Sequence, residues 1–97
     1  MKLSTIFRRA AEYLDGHAAE YHHGACAAID HVTRAREDKD AAFQFFTEHL
    51  APDNAAPWFL GREDGTLSSD RLFPEEAKAR RVLALLFAAE VAKSEGL

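Results

Sequence analysis

A chain of 97 residues, 47% hydrophobic and 29% charged, has room for one domain around a small core, so neither a second domain nor disorder over most of its length is expected. Its net charge of −4 is unsegregated, since residues 1–48 and residues 49–97 each carry 6 basic and 8 acidic side chains. No basic face follows from that, and nucleic-acid binding, which rests on several Lys and Arg contacts to phosphate, is not expected.

The single cysteine leaves no internal disulfide framework and suits a reducing, cytoplasmic setting. The start, Met1 to Arg9, has no apolar region of secretory length. The most apolar run, Val82 to Ala92, falls short of the roughly 20 residues that cross a bilayer. The expectation is a soluble protein of the cytoplasm, with no membrane contact.

In chain order, Ile6, Phe7, Ala10, Ala11 and Leu14 follow helical spacing after Ser4 or Thr5 as a cap. Asp15-Gly16 predicts the end of that helix, with Gly16 as a left-handed cap. From His17 to about Arg36, the residues Ala18, Tyr21, Ala25, Ile29 and Val32 share a face, although Gly24 interrupts the pattern and allows a helix that begins only there. The mixed run Arg36-Glu37-Asp38-Lys39-Asp40 reads as a solvated turn. Asp40 then caps a third helix from Ala41 to Leu50, with Phe43, Phe46 and Leu50 on one stripe and Phe45 on its flank; Pro52-Asp53-Asn54 closes it.

Residues 51–73 hold two prolines, two glycines and an Asp64-Gly65 turn signal. They read as the longest irregular segment, with a short turn of helix at Ser68 to Leu72. Pro74 fits a first helical position, Glu75 and Glu76 suit the positive end of a helix dipole, and Gly96 marks the stop. Between them, ten of the eleven residues from Val82 to Ala92 are apolar and rich in Ala and Leu rather than β-branched residues, which favours helix over strand. The fold class expected is all-α: one domain over 1–97, a compact bundle of about four helices with a buried C-terminal helix. Its core would comprise Ile6, Phe7, Leu14, Tyr21, Ile29, Val32, Phe43, Phe46, Leu50, Trp58, Leu83, Leu86 and Phe87.

Three places offer chemistry. His17, Glu20, His22, His23, Cys26, Asp30 and His31 are the densest group. On one continuous helix His22, Cys26, Asp30 and His23 would fall within an arc of roughly 100°, and an i, i+4 pair such as His22 and Cys26 permits zinc ligation. Against that reading, structural zinc sites draw ligands from two elements, and a small thiol beside an apolar face packs as a core residue. No cofactor is expected. Glu90 projects near the middle of the apolar arc between Leu83, Leu86 and Phe87. A carboxylate buried there should carry a raised pKa or a partner such as Arg8, Arg9, His22 or Arg34. It reads either as a general acid or base or as a structural polar anchor that fixes helix docking, and the anchor is expected because no second positioned group or pocket is recognisable. Trp58-Phe59-Leu60, with Arg62, Asp64 and Arg71 nearby, has the composition of an interface hot spot; alternatively Trp58 folds back onto the core. No triad, Gly-rich phosphate loop or paired catalytic carboxylates are recognisable, so the chain is expected not to be an enzyme.

Tyr21-His22-His23-Gly24-Ala25-Cys26-Ala27-Ala28-Ile29, Phe45-Phe46-Thr47-Glu48-His49-Leu50-Ala51-Pro52, Pro57-Trp58-Phe59 and Arg81-Val82-Leu83-Ala84-Leu85-Leu86-Phe87-Ala88-Ala89-Glu90 together resemble small helical proteins encoded by bacteriophages and prophages of proteobacteria. The resemblance is one of order and spacing across most of the chain, and no functional residue is carried over from it. It implies a host-cell setting in which proteins of this size class inhibit defence systems such as CRISPR complexes by binding them. The expected function is therefore binding to a host or phage protein through Trp58, Phe59, Arg62, Asp64 and Arg71, with a homodimer as a further source of stability. The alternatives are a metal-binding helical module using His22, His23 and Cys26, or a structural phage accessory protein.

Overall fold

The structure, a computed structural model, describes residues 1–18, 24–50 and 74–97. Among these residues there are four helices and no strand: α1 (Leu3–Asp15), α2 (Ala25–Val32), α3 (Arg36–Leu50) and α4 (Pro74–Ser94). The class is all-α.

Helix α1 turns Ile6, Phe7, Ala10, Ala11 and Leu14 to one side, and all five are buried. It begins earlier than a Ser4 or Thr5 cap would have it. Lys2 takes the cap position in extended backbone without a side-chain hydrogen bond. The Thr5 and Ile6 N–H groups donate to the Lys2 carbonyl at 3.1 and 3.0 Å, while the Ser4 N–H donates to the Leu97 carbonyl at 3.4 Å. Leu97 thus helps satisfy the first turn of α1, where orphan donors need partners. At the other end Gly16 is right-handed, with φ −77°, so the left-handed cap expected of it is not used. The helix stops instead through the Gly16 N–H on the Glu12 carbonyl and the His17 N–H on the Leu14 carbonyl, 3.0 and 3.2 Å.

Helix α2 starts directly after Gly24, as the shorter of the two readings of this stretch has it, and buries Ala25, Ala28 and Ile29. Helix α3 corrects the boundary placed at Asp40. The run Arg36 to Asp40 is helical, with Glu37 and Asp38 in the first turn against the positive dipole end. Arg36 Nε lies 3.7 Å from Asp40 in an i, i+4 pair. A charged run reads as solvated turn or solvated helix alike, and here the first turn of a helix hides in it. Ala42, Phe45 and Phe46 enter the core, and Phe43 packs against its edge.

Helix α4 begins at Pro74, with Glu75 and Glu76 in its first turn. Gly96, at φ 77°, closes it: the Leu97 N–H donates to the Ala92 carbonyl at 2.8 Å and the Gly96 N–H to the Lys93 carbonyl at 3.1 Å. That pair of bonds around a left-handed glycine is a Schellman motif. Helix α4 lies most closely along α1. The side it buries is small: Ala77, Ala84, Ala88, Ala89 and Ala92, with Leu85 and Arg81. Ala10 and Ala11 face the same core from α1. Alanines on both partners let the two backbones approach, which gains dispersion contacts along the seam.

This choice of face revises the expected core. Ile6, Phe7, Leu14, Ile29 and Phe46 are buried, and Val32 and Phe43 partly so. Leu83, Leu86 and Phe87, however, are 64%, 39% and 53% exposed. Helix α4 is buried on one side and open on the other. Because its central run is apolar all round, periodicity could not decide which side faces α1; close packing selected the alanines. Tyr21, Trp58, the side chain of Leu50, the closure at Pro52-Asp53-Asn54 and the helical turn at Ser68 to Leu72 lie outside the described residues.

Candidate interaction surface

The outward side of α4 is set by the same 3.6-residue period that buries its alanines. Leu83, Leu86 and Phe87 stand at i, i+3 and i+4, within one stripe, and all three are exposed. Glu76 and Arg80 precede them and Glu90 and Lys93 follow, also exposed. The result is an apolar row on a rigid helix with charged residues at both ends, the pattern of a contact patch with a polar rim.

Glu90 belongs to this outward side and not to the core. Its side chain is 70% exposed, and its Oε1 lies 3.6 Å from Nη2 of Arg8, itself 51% exposed. Of the named cations that lie among the described residues, Arg8 pairs with it; His22 lies outside them, and the burial expected of Glu90 is absent. The buried charge on α4 is instead Arg81, 6% exposed, which has a partner within the chain. Sequence reasoning missed it, although its place in the series Ala77, Arg81, Ala84, Leu85, Ala88 was the available signal.

The histidine-rich group is dispersed among the described residues. The ring of Tyr13 has His17 at 4.0 Å and His31 stacked at 3.9 Å. His17 Nδ1 lies 2.6 Å from the Tyr13 carbonyl, and the His17 carbonyl accepts a hydrogen bond from Lys78 Nζ at 2.6 Å. These contacts pin the end of α1 to α2 and α4. Asp30 pairs with Lys39 at 2.5 Å, tying α2 to α3. Cys26 is half-buried on α2 and has a partner within the chain. Among the described residues no three His, Cys, Asp or Glu side chains converge on a point that could hold a metal ion. His22, His23 and Glu20 lie outside the described residues, as do Trp58, Phe59, Arg62, Asp64 and Arg71.

His49 also has a structural environment. Its ring stacks on Phe45 at 4.1 Å, Nδ1 lies 3.0 Å from the Phe45 carbonyl, and Nε2 is 3.6 Å from Glu95. The contact joins α3 to the residues just beyond α4.

Comparison with protein-family models, with curated proteins and with solved structures returns no match. Among the described residues no helix is long and apolar enough to cross a membrane.

Proposed function

We propose that this chain is a non-enzymatic protein that acts by binding other protein molecules, and that the outward side of α4 is one of its contact surfaces. The observation that carries this reading is the contiguous exposure of Leu83, Leu86 and Phe87 on one helical stripe. Single exposed leucines need no explanation, but three large apolar side chains in one row with charged ends are a recognised mark of an interaction site. Among the described residues, the rings of His31 and His49 make contacts between elements and that of His17 lies against Tyr13, and no observation there favours the metal-module reading.

The resemblance to small phage and prophage proteins supports a more specific role. In that role the protein occludes a host defence complex of the CRISPR type in the host cytoplasm, with Trp58, Phe59, Arg62, Asp64 and Arg71 as the contact to the host target. The test is plating of a CRISPR-sensitive phage on a defended host that expresses the protein. Restored plating with the wild type, lost with Trp58→Ala/Phe59→Ala at unchanged helix content, is the expected result. Plating that stays blocked with well-expressed wild type overturns the anti-defence role. Loss of folding in the double variant assigns the two aromatics to the core instead.

A further inference from the structure

The exposed side of α4 carries one mirrored pair of opposite charges about an apolar centre, while its third seam charge, Glu90, mirrors onto Ala79. Positions 76, 83 and 90 recur at a spacing of seven, as do 79, 86 and 93, so the stripe follows the two seams of a heptad. Its apolar centre is Leu83 with Leu86. Glu76 stands seven residues before Leu83, and Lys93 stands seven after Leu86. An acid and a base therefore sit at equal distances from the centre, on opposite sides of it.

We propose that a second copy of this chain covers this face, with α4 packed antiparallel on α4 across a two-fold axis at the level of Ala84 and Leu85. This rests on the reading of α4 as a contact surface and names its occupant. In this register Leu83 lies opposite the partner's Leu86, and Phe87 flanks the pair. Glu76 lies opposite the partner's Lys93, and by the two-fold every contact occurs twice. Arg80 falls within one residue of the partner's Glu90. Arg80 and Glu90 each already have a partner in their own chain, so Glu76 and Lys93 carry the charge argument. A parallel pairing would set Glu76, Glu90 and Lys93 each against its own counterpart, and like charges in register oppose association. Mirror spacing of opposite charges about an apolar centre is what a self-complementary interface requires, whereas a foreign partner imposes no such symmetry.

Sedimentation equilibrium of the full chain across about 1–100 µM tests the proposal, because a dimer shows itself by concentration dependence. The wild type is expected to dimerise. Leu83→Glu/Leu86→Glu should weaken the dimer by at least about a hundredfold, as loss of central apolar contacts does, with helix content unchanged by circular dichroism. Glu76→Lys alone and Lys93→Glu alone should each weaken it, and the two together should restore it, since the pair meets only in the antiparallel register. If the leucine variant loses helix content, this exposed charge series decides. A wild type that is monomeric at the highest concentration, a dimer that persists in a folded leucine variant, or a charge reversal without restoration overturns the proposal. A monomer that still restores phage plating ends the second-copy inference alone; a dimer without plating activity ends the anti-defence role alone.

Discussion

Arg8 on α1 and Glu90 on α4 meet with their charged ends 3.6 Å apart on the exposed margin of the helix pair. The contact joins the two helices that pack most closely among the described residues from outside their seam, where water screens it. The buried side of α4 consists of alanines with Leu85 and Arg81, and the pair is a surface fastening rather than a buried anchor.

Exposure sets the first expectation. Glu90→Gln should cost no more than about 1 kcal/mol of unfolding free energy, the range for exposed ion pairs. Breaking a buried pair would cost about 3–5 kcal/mol. Urea denaturation at low protein concentration, where association does not contribute, separates the two.

Phe7 should behave in the opposite way. It is fully buried, with Phe45 and Phe46 at ring-centroid distances of 5.6 and 6.1 Å, so it joins α1 to α3 through aromatic contact. Phe7→Ala is expected to cost about 3–5 kcal/mol, much of the about 5–15 kcal/mol total of a small domain. The check is a denaturation curve, in which the variant should be partly unfolded or unfold at a much lower midpoint.

The α1–α4 seam should not tolerate bulk. Ala88 is fully buried against the core, and Ala88→Leu should destabilise by about 1–3 kcal/mol through overpacking. Ala41→Leu, on the exposed side of α3, should stay within about 0.5 kcal/mol of the wild type. Paired thermal melts of the two variants test whether small side chains set the helix separation.

Two glycines should respond differently to the same change. Gly96 sits at φ 77°, and a Cβ added there would meet no atom within 4 Å, so Gly96→Ala meets only backbone strain and should cost about 1–2 kcal/mol. Gly16 is right-handed at φ −77°, and a Cβ there would lie 3.4 Å from the Glu12 carbonyl, at the edge of ordinary contact. Gly16→Ala should therefore be neutral or stabilise by up to about 1 kcal/mol through the unfolded chain. A lower melting temperature for the first and an unchanged or higher one for the second is the expected pattern.

The amino-acid sequence by itself determined that the chain is helical and where α4 begins and ends, but not the caps of α1 or the start of α3. Ile6, Phe7, Ala10, Ala11 and Leu14 specify both α1 and its buried side, because the charged residues of that helix fall on the opposite face and leave one solution. Pro74 and Gly96 mark the ends of α4 by backbone chemistry that needs no tertiary partner. Arg8 is one of four cations that the sequence offers to Glu90, on the premise of a burial that the fold does not give it.

What only the tertiary structure decided is the orientation of α4 about its own axis. A helix that is apolar all round from Val82 to Ala89 cannot declare a core side by hydrophobicity alone, as Ala88 and Ala89 show beside Leu86 and Phe87. Packing settles it: the side of α4 turned to the core is mostly alanine with Leu85 and Arg81, and Leu83, Leu86 and Phe87 are left exposed. The same rotation carries Glu90 to the surface and Arg81 into the core, and so the candidate contact face could be read only once the two helices were set side by side.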